Sequence, residues 1–156
     1  MKTINLCENT DFPNKIGKGT RILGIDPGKK NIGISISDPS QKIATPLKII
    51  FMKKFKKFIE DLNRVIIDYE IKGIVVGNPI NMDGSIGPRS QSAKDFAQNI
   101  SKMTNLPITL WDERLSSDGA FSLMDDLDIN SSKKTKKLDQ HAAAFILQGY
   151  LDFLNK

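Results

Sequence analysis

Carboxylates stand at three points where elements of this chain should begin or end. Asp26 closes one apolar run, the pair Asp112 and Glu113 closes another, and Asp139 opens the last helical pattern. Brought together at the edge of a core, such groups repel one another and are costly to leave unpaired. A divalent cation removes that cost, and oxygen ligands without His or Cys select Mg²⁺ or Mn²⁺ over zinc. Two such ions ~3.5–4 Å apart can activate a water and stabilise the leaving oxygen in phosphodiester hydrolysis. Each carboxylate also has a local explanation. Asp26 before Pro27-Gly28 is ordinary turn chemistry, and a helix N-terminus favours an acid at Asp139. Side-chain alternation lets only one of Asp112 and Glu113 join a given site while the strand continues.

The elements that must position these groups are readable from periodicity. Ile22 to Ile25 end at Asp26-Pro27-Gly28, and Ile32, Ile34 and Ile36 alternate with Gly33, Ser35 and Ser37. This pattern predicts two strands joined by a tight turn. Lys42 to Ile50 offers a third strand edged by Pro46. Phe55, Phe58, Ile59, Leu62, Val65, Ile66 and Tyr69 form one helical stripe. Lys53, Lys54, Lys56 and Lys57 at its start oppose the helix dipole and read as a solvated face. Lys72 to Gly77 predicts a buried central strand, followed by the turn-rich loop Asn78–Pro88 and a helix over Arg89–Met103. Loops after parallel strands of this kind line binding crevices. Leu106 to Glu113 is a fifth strand, and helical spacing resumes at Ala120, Leu123, Met124 and Leu127. Residues 130–137, polar and basic, read as an exposed, mobile loop. A helix over Leu138–Leu154 carries Asp139 in its first turn, in line with Ala142, Ala143, Ile146 and Tyr150. His141, the single histidine, reads as a solvent-side or packing residue.

Composition bounds the rest. At 156 residues, with 39% hydrophobic and 26% charged residues, the chain is expected to form one globular domain. Residues 1–20 lack sustained periodicity and read as a loosely ordered arm before a domain spanning 21–156. Lys and Arg outnumber Asp and Glu by 23 to 18, giving a net charge of +5 and a pI of 9.3, which favours a polyanionic partner. A single cysteine, Cys7, excludes an internal disulfide and argues against a zinc cluster. With no apolar run long enough for a membrane span, a cytoplasmic location is expected and no membrane partner.

Four ordered motifs add a resemblance: Gly24-Ile25-Asp26-Pro27-Gly28 with Ile32-Gly33; Val75-Val76-Gly77-Asn78-Pro79 with Asn81-Met82-Asp83-Gly84; Asp112-Glu113-Arg114-Leu115-Ser116; and Leu138-Asp139-Gln140-His141-Ala142-Ala143 with Ile146-Leu147-Gln148 and Tyr150-Leu151. From Arg21 to Leu154 the chain resembles the YqgF/RuvX family, described as pre-16S rRNA nucleases or Holliday junction resolvases. The resemblance implies an α/β, RNase H-like fold, a mixed five-stranded sheet flanked by helices. It places the family's metal-binding and catalytic acids on Asp26, Glu113 and Asp139. Arg114 is then the implied phosphate contact, with Lys29, Lys30 and Asn78 as further substrate-binding candidates. Pro27 and His141 depart from the family's usual residues without removing a carboxylate. The implied activity is metal-dependent phosphodiester hydrolysis in 5′-end processing of pre-16S rRNA. Resolution of branched DNA junctions is an alternative, as is a non-catalytic assembly factor that binds nucleic acid. A phosphate loop of the actin-like ATPase kind needs two such domains, which one chain of this size does not supply. Structured RNA is the expected partner, branched DNA the other candidate, with the chain a monomer or homodimer.

Overall fold

The computed structural model describes residues 5–28, 30–79, 85, 87–113 and 131–156, the stretch 131–140 as backbone only. Its elements are β1 (Leu6–Cys7), α1 (Phe12–Ile16), β2 (Arg21–Pro27), β3 (Asn31–Ser37), β4 (Ala44–Phe51), α2 (Phe55–Asp68), β5 (Ile71–Asn78), α3 (Pro88–Met103), β6 (Ile108–Asp112) and α4 (Ser131–Leu154). The strands form one sheet in the order β1-β6-β5-β2-β3-β4. The β2–β5, β5–β6 and β1–β6 pairs are parallel, while β2–β3 and β3–β4 are antiparallel. The RNase H-like expectation of a mixed sheet between helices therefore holds, with six strands rather than five.

Alternation divides the strands between two cores. Leu23, Ile25, Ile74, Val76 and Ile108 point to one face, where Phe58, Ile59, Leu62 and Val65 of α2 and Ala97 and Ile100 of α3 cover them. Ile22, Val75 and Trp111 point to the other, against Phe12 and Ile16 of α1 and Ile146, Leu147, Tyr150 and Leu151 of α4. This two-sided cover explains why β3 is buried on both faces despite its alternating sequence. Ser35 and Ser37 face α4 and are satisfied: the Ser35 hydroxyl donates to the Ala143 carbonyl at 2.8 Å, and Ser37 Oγ accepts the Ile22 N–H at 2.8 Å. Gly24 makes the close approach of α4 feasible, since a Cβ there would sit 2.7 Å from Leu147 Cβ. As the Lys run of α2 suggested, no acid occupies its first turn and no side chain caps it.

Two expectations are corrected here. Residues 5–16 are packed, not a loose arm. β1 pairs with β6, and Phe12 is fully buried, in edge contact with Tyr150 at 5.6 Å. A two-residue strand and a five-residue helix are too short to show a period, so the sequence hid them. The basic segment 131–137 is the start of α4 rather than a loop. It has no Gly or Pro to break a helix, and propagation from a packed C-terminal half needs no apolar stripe of its own. Asp139 consequently lies in the third turn of α4, where neither a cap nor the dipole accounts for it.

Candidate active site

The site is built where the parallel strands end. Asp26 closes β2, and Glu113 follows directly on β6. By register Ile25 pairs with Val76, and Gly77 with Trp111, so Asp26, Gly77, Trp111 and Glu113 share the α4 face. Gly77 lies between the two acids. A Cβ added to it would sit 2.7 Å from Glu113 Oε2 and 2.6 Å from Ile146 Cδ1, so only glycine leaves room for the Glu113 carboxylate to lie over β5. Asp112 falls on the opposite face, paired in register with Asn78.

Glu113 is held in an uncomfortable position. Its Oε2 is buried with no hydrogen-bond partner. Burial, and then the Asp26 charge, push its carboxyl up to about 7; Arg89 opposes the shift and Asp112 adds to it. Two facing acids, one with an orphaned buried oxygen, are the donor set a hard divalent cation fits. Among the described residues no cluster of three His, Cys, Asp or Glu side chains is formed.

Asp139 belongs to α4, and the direction of that helix locates it. Ala143 meets Ser35, while Gln148 meets Ala44, which pairs with Ser37 further from Asp26. α4 thus runs antiparallel to β2, and Asp139, one turn before Ala143, lies toward the Asp26 end of the strand. Its side chain is outside the described set, as are Lys29 and Arg114.

A cleft of about 410 Å³ opens beside Asp26, lined by Asp26, Gly28, Lys30, Asn31, Gly33, Ile49 and Arg89. Gly33, directly across from Asp26, leaves its floor free of side chains. Of the expected substrate contacts, Lys30 lies on this cleft. Asn78 sits behind it: the buried Ser90 hydroxyl donates to Asn78 Oδ1 at 2.7 Å, tying the end of β5 to the first turn of α3. His141 lines an adjoining hollow with Pro46, Leu47, Lys48 and Ile49, the last shared with the cleft, and its ring is 6.5 Å from Phe145. Sequence reasoning missed Arg89, Asn31 and Ile49 as lining residues. Arg89 alone carried a signal, as a cation one residue inside a helix that follows a crevice-lining loop.

The chain is similar to known proteins in sequence and in fold. A family model described as RuvX: Holliday junction resolvase matches residues 20–153. A protein of Pelagibacter ubique named "Putative pre-16S rRNA nuclease" is 54% identical over 93% of this chain and 96% of its own length. One of the same name from Rhodobacter capsulatus is 44% identical over 92% of this chain and 91% of its own. In fold, the chain is similar to T. thermophilus RuvC solved with a Holliday junction substrate, with a TM-score of 0.57 at 12% identity, covering 88% of this chain and 97% of that one.

Proposed function

The chain belongs to the RuvX family, and on that premise we propose that it is a metal-dependent nuclease that hydrolyses phosphodiester bonds in 5′-end processing of pre-16S rRNA. The observation that carries this reading is the buried, partnerless Glu113 carboxylate oxygen facing Asp26 at the edge of an open, cation-rimmed cleft. Asp26, Glu113 and Asp139 would hold Mg²⁺ or Mn²⁺, and the cation would supply Lewis acidity for activating a water and for stabilising charge on the departing oxygen. The chain's own residues do the remainder. Arg89 and Lys30 grip phosphates flanking the scissile one, joined by Lys29 and Arg114; their contacts are to backbone and carry no sequence preference. With its carboxyl pushed up to about 7, Glu113 is partly protonated near neutral pH and would bind a cation only as the carboxylate. Gly33 leaves a floor on which the substrate backbone approaches Asp26 closely.

The protein works in the cytoplasm; among the described residues no helix is long and apolar enough to cross a membrane. Rather than the paired sites of a homodimer that junction resolution demands, end processing needs one site and is open to a monomer. The test incubates purified protein and Asp26→Asn with Mg²⁺ or Mn²⁺ and two substrates, a precursor-rRNA 5′ segment and a four-way DNA junction. Cleavage of the RNA by the parent and not by Asp26→Asn is expected. Cleavage of the junction alone reassigns the substrate, and equal cleavage by both proteins sinks the catalytic assignment.

A further inference from the structure

We propose that Phe51 is a base-stacking platform for an unpaired stretch of RNA leaving the cleft; this rests on the nuclease reading and adds the form of substrate it takes. β4 is the last strand of the sheet, and its outer end is unusually apolar for a surface. Phe51 is 56% exposed and Ile49 37%, while Ile50 between them is buried on the opposite face. Neither exposed side chain belongs to a core.

Register ties both to the cleft. Asp26 pairs with Gly33, and Gly33 with Ile49, so one row runs from the acid across bare backbone to the isoleucine. In the next row Asn31, a lining residue, pairs with Phe51. Strand spacing puts Phe51 ~12 Å from Asp26, a few nucleotides along a strand. One cation lies over the ring: Lys53 Nζ is 5.9 Å from its centroid. The Lys30 carbonyl accepts the Met52 N–H at 2.6 Å, which ties the backbone of Lys30, a cleft-lining residue, to the end of β4.

An exposed aromatic with a lysine over its ring, continuous with a cleft that Lys30 and Arg89 line, is the arrangement by which proteins hold single strands. A ring face meets an unpaired base, whereas a duplex keeps its bases stacked inside. Pairing of this edge with a second copy of the chain is disfavoured by Pro46, which lacks an N–H, and by the register shift opposite Ile34 and Ser35. The polyanion complements the lysines; an apolar protein partner does not.

The test measures binding of a fluorescent RNA, single-stranded and as its perfect duplex, in chelator, so that binding is read apart from cleavage. Phe51→Ala should weaken the single strand by about 5- to 100-fold and leave the duplex within about twofold. Phe51→Leu, which keeps apolar bulk, should lose as much, and Phe51→Trp should bind as well as the parent. That order distinguishes stacking from a folding defect. Unchanged single-strand affinity in Phe51→Ala overturns the proposal, as do equal losses for strand and duplex. A concentration-dependent dimer abolished by Phe51→Ala without loss of RNA binding also overturns it and assigns the face to self-association. None of these outcomes bears on whether Asp26→Asn stops cleavage, so the two readings fail separately.

Discussion

Thr109 and Glu113 lie on the same face of β6, four residues apart, and their surroundings are opposite in kind. Around Thr109 the polar groups interlock. Its hydroxyl donates to the Cys7 carbonyl at 2.9 Å and lies 2.7 Å from Asn9 Oδ1, and the Tyr150 hydroxyl donates to the Asn9 carbonyl at 2.8 Å. Around Glu113 a carboxylate oxygen is buried unmatched and faces another acid. Trp111, between them, meets the Tyr150 ring edge-on and the Phe153 ring at a tilt, and leaves its indole N–H unmatched. Matched polar groups fix a structure, whereas like charges held together store a cost that a ligand can relieve. One end of the strand is finished by the chain itself; the other keeps an unmatched acid.

The sharpest way to break this contrast is at the open end. Asp26→Asn should lower cleavage by about 10²–10³-fold or more, while its thermal midpoint without metal stays at or above the parent's because a repulsion is gone. A large loss of stability there would make Asp26 a structural residue. At the closed end, Phe12→Ala should cost about 3–5 kcal/mol in a denaturant titration, with the rate per folded molecule unchanged.

Glu113 gives a pH signature. Its folded carboxyl titrates at about 7 against an ordinary 4.5, so between these values the folded state binds more protons than the unfolded one. Metal-free stability should therefore fall as pH rises from about 4.5 to about 7 and level off above. Glu113→Gln should remove that slope and gain at most about 3 kcal/mol at pH 8. Melting curves across pH for both proteins check this. Added Mg²⁺ or Mn²⁺ should raise the parent's midpoint more at pH 8 than at pH 5.5, since protons compete for the same carboxylate. The smallest expected effect is Tyr150→Phe, a loss of about 1 kcal/mol with unaltered cleavage, measured by the same unfolding curves.

Much of this was legible in the residues. The helix beginning at Phe55, the buried strand ending at Asn78 and the hairpin around Asp26 each carry a period or a breaker long enough to read. Alternation allowed only one of Asp112 and Glu113 to join Asp26; the family resemblance pointed to Glu113, and strand register shows it on the Asp26 face. What was not legible depends on contacts distant in sequence. β1 is defined only by β6, and α1 only by the pocket that Tyr150 and the sheet provide. The start of α4 was misread because a run of lysines carries charge but no apolar period, while helix propagation needs only the absence of breakers. Arg89 acquires meaning from the cleft it lines and Phe51 from strand register, neither of which a single sequence prints.

The parallel pairing of β1 with β6 has a further consequence in time. Cys7 and Thr109 are 102 residues apart, so joining them closes one of the longest loops in the chain. Such contacts gain nothing until both ends are in place, which makes them late and slow to form. The hairpin of β2 and β3 with its neighbour β5 requires far shorter closures. During synthesis the floor beneath Asp26 can therefore be laid down while the amino-terminal strand still waits for its partner to be made.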